Sequence, residues 1–384
     1  MHIELLLTSL GFITVASIVI MYASNTFESA SNYLGRNLAP GIKGATINAA
    51  GSSMPELLTT AVFLFVYEDV DGFSAGVATA AGSAVFNGLI IPAVCIFVVV
   101  IWGTKINGVE TKVTHIVVDS RSVLRDGIWL VIGELMLIFF LGNTTLTWVA
   151  GALLLSSYVG YCGHLFYHNR KFSVERKDED NEEEDEDNEE GGASSSKLKA
   201  LLTLDFNTLL FNGRRFTSRS AWTVLAGAVF VLGVACLLLA ESVIRVAEAL
   251  DIPTYFTAVV LAAAATSVPD TVLSVKDARH GNYDDAISNA LGSNIFDIAV
   301  SLGLPLLVYS LIFGDVTLSV VAGTSAAQVQ ILRIVLLGVT VAVISLLLMG
   351  KKAGLGKASI MLLIYVGWMT WIADSAFDLG IFPS

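Results

Sequence analysis

The chain has 384 residues, 54% of them apolar and only 15% charged, with a mean hydropathy of +0.72. Soluble domains carry about 25% charged residues, so a single soluble globular fold is excluded. Twelve of the 34 acids lie between Glu175 and Glu190, so the net charge of −12 belongs to one loop and gives nucleic-acid binding no support.

A hydrocarbon core about 30 Å thick takes about 20 mostly apolar residues per helix. Ten such runs follow one another, at roughly 5–33, 43–66, 74–101, 123–141, 145–167, 221–249, 254–277, 284–312, 329–348 and 359–380. They are continuous rather than alternating, which argues against a β-barrel. The first run has no basic stretch before it and no small-residue cleavage pattern, so it reads as a retained helix and not a signal peptide. The second and third runs, and again the seventh and eighth, contain polar interruptions; the others are plainer. Trp102, Trp148 and Trp222 fall at run ends, where indole rings anchor at the interface. Cys95, Cys162 and Cys236 each sit inside an apolar run without metal-ligand spacing, so no disulfide framework is expected.

Between the fifth and sixth runs lies the only long polar stretch, residues 168–220. It contains ERKDEDNEEEDEDNEEGGASSS, which cannot bury a core and is expected to be a disordered tether. A calcium-sensing role is the alternative. It has no Gly-punctuated EF-hand loop to rest on, and about 50 residues are too few for a regulatory β-sandwich.

The basic residues orient the spans. With both termini outside, 20 of the 22 Lys and Arg fall on the inner side, leaving only Arg245 and Arg333. That bias is the positive-inside pattern, and an odd number of spans destroys it. The predicted fold is therefore an all-α membrane protein of ten transmembrane helices.

The sequence also repeats across the tether. ATINAAGSSMPE at 45–56 matches VVLAAAATSVPD at 259–270, and GSAVFNGLIIP at 82–92 matches GSNIFDIAVSLG at 292–303. Glu28 and Glu241 stand 28 and 29 residues before the acids of their motifs, and read as gate or interface residues. Five spans precede each second copy, so the halves enter the membrane with opposite orientation. The chain divides into a first five-helix repeat (1–167, motif region 42–101), the acidic cytoplasmic linker (168–220), and a second five-helix repeat (221–384, motif region 254–312). Inverted repeats of this kind place a substrate site at the midplane between the halves.

The motif residues have a physical reason to be there. Pro55 and Pro269 lack an N–H and cannot bond the carbonyls of Gly51 and Ala265. Helices broken at membrane depth persist only where the freed backbone lines a cavity or binds something. Ser52 and Glu56, Thr266 and Asp270, Ser83 and Asn87, and Ser293 and Asp297 are all spaced i to i+4, on one helix face each. Glu56, Asp270 and Asp297 together cost roughly 8–10 kcal/mol at mid-bilayer if ionised and unpaired. No Lys or Arg stands within the four motifs to neutralise them, so cations from solution or protons must. Oxygen-only ligands suit Ca²⁺ and Na⁺, and the absence of nearby His and Cys argues against zinc or copper. Close helix packing explains Ser53 or Ser267 alone as well as ligation does; it does not explain three acids in matched motifs. Glu134, in the fourth run, is left out of the site.

AAGSSMPE with GSAVFN, and AAAATSVPD with GSNIFD, resemble the two α-repeats of the sodium/calcium exchangers in the cation/calcium exchanger superfamily. GSAVFN, and SVPD followed by GSNIFD, are most similar to the potassium-dependent branch. The resemblance implies Ca²⁺ binding by Glu56 and Asp270 with the backbone carbonyls of Ser52 and Thr266. It implies one flanking Na⁺ site from Ala49, Ser52, Ser53, Glu56 and Ser83, and another from Ala263, Thr266, Ser267, Asp270 and Ser293. Asn87 and Asp297 complete the central position. Ser52 stands where the family often has Thr or Gly, and Ala265 replaces its usual Gly, where tighter backbone packing bears on Na⁺ affinity.

The function expected is Na⁺/Ca²⁺ antiport by alternating access in the cell membrane, as a monomer, with no cofactor and no enzymatic activity. Asp297 adds a third negative charge, which either co-transported K⁺ or a proton balances. Ca²⁺/H⁺ antiport is the rival in the same class, although the hydroxyl pairs beside both acids favour Na⁺. An intramembrane aspartyl protease using Asp270 and Asp297 is the rival from another class, and both aspartates lack its sequence context.

Overall fold

The computed structural model describes residues 3–36, 49–67, 70–106, 109–143, 145–172, 200, 203–213, 216–317, 326–350 and 352–381. The acidic run at 175–190 and motif residues 45–48 lie outside them. Within them helices follow in the order α1 (Ile3–Leu34), α2 (Ala49–Ser52), α3 (Met54–Phe65), α4 (Val70–Trp102), α5 (Ser120–Phe140) and α6 (Trp148–Phe172). Then come α7 (Phe206–Phe211), α8 (Ser218–Leu250), α9 (Thr254–Thr266), α10 (Val268–Arg279), α11 (Tyr283–Phe313), α12 (Ala326–Leu348) and α13 (Leu355–Phe377).

Six of these helices are long and apolar enough to cross a membrane: α1, α4, α6, α8, α11 and α13. A seventh is added if α9 and α10, bent by 41° at their junction, count as one span. The other three predicted runs fall short for identifiable reasons. The stretch before α2 is outside the described residues, which leaves only the 12-residue α3. On α12 the side chains described without interruption are those of Ile334–Leu348, a shorter apolar stretch. On α5 the sequence carries Arg125, Asp126 and Glu134, too many charges for a plain span. Arg125 pairs with the buried Asp126 at 2.7 Å, and Thr340 of α12 donates to one of the two Glu134 oxygens at 2.5 Å.

One expectation is corrected. Residues 203–213 of the 168–220 stretch form a turn and a capped helix, because TLDFNTLLF supplies apolar residues and a cap. Asp205 accepts the Thr208 N–H at the start of α7, and Thr26 of α1 donates to the Leu204 carbonyl at 2.8 Å.

Helices α4 and α11 are the most enclosed of the long apolar helices, while α1, α6, α8 and α13 bury a smaller share of their residues. Around α4 pack α3, α9, α10, α11, α12 and α13; α11 additionally meets α5 and α6. Helices α1 and α8 form the most extensive helix pair, set against this centre. Small residues permit the crossings. A Cβ on Gly82 of α4 meets the Ala263 Cβ of α9 at 2.7 Å, and one on Gly151 of α6 meets the Gly303 carbonyl oxygen of α11 at 2.7 Å.

Short strands clasp the ends of α5. Strand β3 (His115–Val117), just before α5, pairs antiparallel with β6 (Lys352–Gly354), between α12 and α13. Strand β4 (Thr145–Leu146), just after α5, pairs antiparallel with β5 (Val316–Thr317), between α11 and α12. A separate hairpin joins β1 (Thr104–Ile106) to β2 (Val109–Thr111). Arg279 at the end of α10 donates to the Gly103 carbonyl beside that hairpin at 2.6 Å.

The crossing at Gly82 is tight on both sides, so Gly82→Ala should destabilise by about 1–3 kcal/mol through overpacking. A Cβ on Gly233 of α8 meets nothing within 4 Å, so Gly233→Ala should hold stability or raise it by up to about 1 kcal/mol. Thermal unfolding of the two detergent-solubilised variants checks this, and equal midpoints would show that the α4–α9 crossing is not close-packed.

Candidate cation-binding site

The site is built on two matching helix breaks. Helix α2 ends at Ser52, Ser53 adopts φ −95°, ψ 8°, and α3 restarts with Pro55 in its first turn. Helix α9 ends at Thr266, Ser267 adopts φ −80°, ψ 1°, and α10 restarts with Pro269 in its first turn. Their hydrogen bonds correspond: Ser53 N–H donates to Ala49 O at 3.0 Å and Ser267 N–H to Ala263 O at 3.1 Å. Proline is tolerated in a first turn because its missing N–H is an orphan donor there. The break thus places Glu56 and Asp270 in the first turns of α3 and α10, where the helix dipole favours negative charge.

The carbonyl that Pro269 leaves unbonded finds a partner on the outer helix pair. Ser17 of α1 donates to Ala265 O at 3.3 Å. At the other break, Cys236 of α8 donates its thiol hydrogen to Pro55 O at 3.6 Å.

The two halves interlock at the centre. Asn87 of α4 donates to one Asp270 oxygen at 3.0 Å, and Ser293 of α11 donates to the other at 2.8 Å. Ser83 of α4 stands 3.3 Å from the Thr266 hydroxyl and donates to Ala263 O at 3.4 Å. Ser52 also lies beside Asp270, Thr266 and Ser267 beside Glu56, and Ser53 and Ser301 beside Asp297. The three carboxyl groups lie within electrostatic reach of one another. All twelve residues singled out from the sequence are buried: Ala49, Ser52, Ser53, Glu56, Ser83, Asn87, Ala263, Thr266, Ser267, Asp270, Ser293 and Asp297.

Burial without partners is the chemical signature of this centre. Both carboxylate oxygens of Glu56 and of Asp297, the hydroxyls of Ser53 and Ser267, and the Asn87 amide oxygen have no hydrogen-bond partner. Buried polar atoms in folded proteins are nearly always paired, and each orphan needs an explanation. Among the described residues no group of three or more His, Cys, Asp or Glu side chains stands at metal-ligand spacing. The oxygens gathered here are instead mixed carboxylate, hydroxyl, amide and carbonyl, the donor set of hard cations.

Some neighbours were not singled out as site residues. The Ser301 and Thr59 hydroxyls are buried and unpartnered too. They stand at i+4 from Asp297 and i+3 from Glu56, so the helix-face rule applied once more reaches both. Asn294 of α11 donates to Ala84 O of α4 at 2.9 Å, tying the two central helices together. Two π-turns, Ala258–Ala262 and Asp297–Ser301, bring extra backbone into the centre, and nothing in the residue pattern announces them.

Two buried, broken helices around three uncompensated carboxylates belong to a membrane cation transporter. The sequence profile of the family described as sodium/calcium exchanger protein matches residues 8–167 and 220–373. The chain belongs to that family, whose members are transporters and not enzymes. Sodium/potassium/calcium exchanger 5 of Homo sapiens is 26% identical over 359 aligned residues, covering 77% of this chain and 68% of that protein. Sodium/potassium/calcium exchanger 2 of Mus musculus is 46% identical over 77 residues, 20% of this chain and 12% of that protein. Among solved structures, the H⁺/Ca²⁺ exchanger CAX superposes with a TM-score of 0.65 at 13% identity, over 94% of this chain and 82% of that one. The sodium-calcium exchanger NCX_Mj, soaked with 100 mM Na⁺ and 10 mM Sr²⁺, superposes with a TM-score of 0.54 at 18% identity, over 95% and 98%. At these identities the likeness to both structures is one of fold.

Pro269→Ala restores an N–H four residues from Ala265 O and should straighten the bend between α9 and α10. Ca²⁺ uptake by reconstituted protein should fall several-fold while the thermal midpoint holds or rises. Full uptake in a protein of unchanged stability would show that the bend is dispensable.

Proposed function

We propose that this protein is a secondary-active antiporter that exchanges Na⁺ for Ca²⁺ by alternating access. The observation that carries the reading is the set of unpartnered oxygens of Glu56, Asp297, Ser53, Ser267 and Asn87, buried around three carboxylates. Family membership and the names of the relatives support the choice of ions. On this reading Glu56 and Asp270 hold Ca²⁺ with the carbonyls of Ser52 and Thr266. Na⁺ is held on one side by Ala49, Ser52, Ser53, Glu56 and Ser83, and on the other by Ala263, Thr266, Ser267, Asp270 and Ser293. Na⁺ and Ca²⁺ compete for the same acids. The empty centre is too charged to be sealed from both sides, and either cation set relieves it.

The architecture we assign is ten spans in two inverted five-helix repeats, with both termini outside and the acidic loop in the cytoplasm of a cell whose plasma membrane the protein occupies. The matched breaks at Ser53 and Ser267 support the repeat, and so do the two strand pairs. Pairing β3 with β6 and β4 with β5 is the arrangement that exchanging the two halves maps onto itself. Asp297 supplies a third negative charge where the first half has Asn87; we assign it co-transported K⁺, with a proton as the competing occupant.

Glu56→Gln or Asp270→Asn should reduce Na⁺-driven Ca²⁺ uptake into proteoliposomes to background while the protein still reaches the membrane. Near-normal exchange by either variant would sink the site. If Asp297 holds K⁺, removing K⁺ should cut uptake by the parent, and Asp297→Asn should be indifferent to K⁺. A parent that ignores K⁺ and follows pH instead assigns Asp297 to a proton.

A further inference from the structure

Asp297 and Ser301 open and close the second π-turn of the centre, one turn apart on α11. Their side chains share a helix face, and both are buried completely. Both carboxylate oxygens of Asp297 and the hydroxyl of Ser301 lack a hydrogen-bond partner. The π-turn packs against α3, at whose head the Ser53 hydroxyl is unpartnered as well.

Such a hydroxyl departs from the rest of the chain. A Ser or Thr inside a helix ordinarily bonds a carbonyl one turn back. Thr79 donates to Ala75 O at 2.9 Å, Ser242 to Leu238 O at 2.6 Å and Thr266 to Ala262 O at 3.1 Å. The π-turn carries that outlet away from Ser301. The carbonyl one turn back is that of Asp297, and it is turned to the N–H of Leu302, five residues on, at 3.1 Å. Pro305 frees a further oxygen: it stands four residues after Ser301 and has no N–H to bond the Ser301 carbonyl. Pro55 has the same relation to Gly51, and Pro269 to Ala265, at the two breaks.

The corresponding stretch of the first half is different. Aligned on GSAVFN and GSNIFD, Asn87 stands for Asp297 and the buried Ile91 for Ser301. Helix α4 runs through both positions without a π-turn. The additional acid, the additional hydroxyl and the π-turn thus occur together, in one half.

Asp297 and Ser301 do not bond each other, although they share a face one turn apart. Two oxygens in that relation are placed as two ligands of one cation, and not as donor and acceptor. A single proton on Asp297 would leave the remaining oxygens unserved. One carboxylate balances one positive charge, and an all-oxygen set suits a hard cation.

We propose that Ser301 is a ligand of the monovalent cation at Asp297, and that its hydroxyl makes this position take K⁺ in preference to a proton. This deepens the assignment of Asp297 made above and rests on it.

Binding is measured as thermal stabilisation, since an ion held only by the folded state raises the unfolding midpoint. Detergent-solubilised protein is unfolded as K⁺ replaces choline at constant ionic strength, with Ca²⁺ saturating. The parent midpoint should rise with K⁺, and Asp297→Asn should abolish the rise. In Ser301→Ala, the K⁺ concentration giving half the rise should increase about tenfold, for one lost contact to a charged species. In choline alone the Ser301→Ala midpoint should hold or rise, because an unpaired buried hydroxyl has been removed. A hydroxyl that serves packing does the reverse: its loss lowers the choline midpoint and leaves the K⁺ dependence untouched. Parental K⁺ dependence in Ser301→Ala overturns Ser301 as a ligand while K⁺ at Asp297 stands. A parent midpoint indifferent to K⁺ overturns the K⁺ assignment and this ligand with it. A parent that moves no Ca²⁺ against a Na⁺ gradient overturns the exchange reading itself.

Discussion

Everything in this structure answers to the burial of Glu56, Asp270 and Asp297 where no Lys or Arg side chain reaches them among the described residues. Taking such groups out of water costs several kcal/mol each unless something of opposite charge meets them. The fold does part of this with neutral donors: Asn87 and Ser293 occupy the two oxygens of Asp270. It does another part with helix N-termini, since the breaks put Glu56 and Asp270 in first turns. Glu56 and Asp297 keep their oxygens free of hydrogen bonds, and so keep the capacity to bind cations. A second set of buried charges shows the contrast. Asp126 pairs with Arg125 and also accepts from Tyr161 and Ser288, so it is fully occupied by the protein and serves the packing of α5, α6 and α11.

Much of the centre was legible in the sequence because its cause is local. A proline removes one N–H wherever it stands, so Pro55 and Pro269 announced both breaks. The i to i+4 spacing fixed which hydroxyls share a face with which acids, and the structure brings those faces together. What was not legible depends on contacts between distant segments. Asn87 was expected at the centre, but its donation across the halves to Asp270 is set by how α4 crosses α9 and α10. Ser17 lies in a plain apolar helix and only the packing of α1 reveals that it meets Ala265. The π-turns at Ala258–Ala262 and Asp297–Ser301 leave no mark in composition. The order at 203–213 was missed because the acidic run beside it dominated the average.

The strand pairs explain how a centre made of broken helices stays in place. Breaks at Ser53 and Ser267 remove helix continuity where the charges are densest. The β3–β6 and β4–β5 pairs tie the ends of α5 to the loops flanking α12, and α5 and α12 in turn pack on each other. Helices α1 and α8 lie outside these clasps, joined mainly to one another. The division into a clasped body and an outer pair is thus written into which loops carry strands.

That division bears on what controls movement under the proposed exchange. The hydrogen bonds from the outer pair to the breaks are weak, Ser17 to Ala265 at 3.3 Å and Cys236 to Pro55 at 3.6 Å, and the remaining contact is side-chain packing such as Phe27 against Gly51. A neutral hydrogen bond contributes about 1 kcal/mol net, and a thiol donor less. The uncompensated charge at the centre amounts to roughly 8–10 kcal/mol on the insertion scale. The larger quantity decides. Sliding α1 and α8 over an empty centre seals that charge into a low-dielectric environment, whereas sliding them over a bound cation does not. Coupling of Na⁺ to Ca²⁺ then needs no dedicated gate residue, because the same carboxylates that select the ion also set the barrier to moving without one.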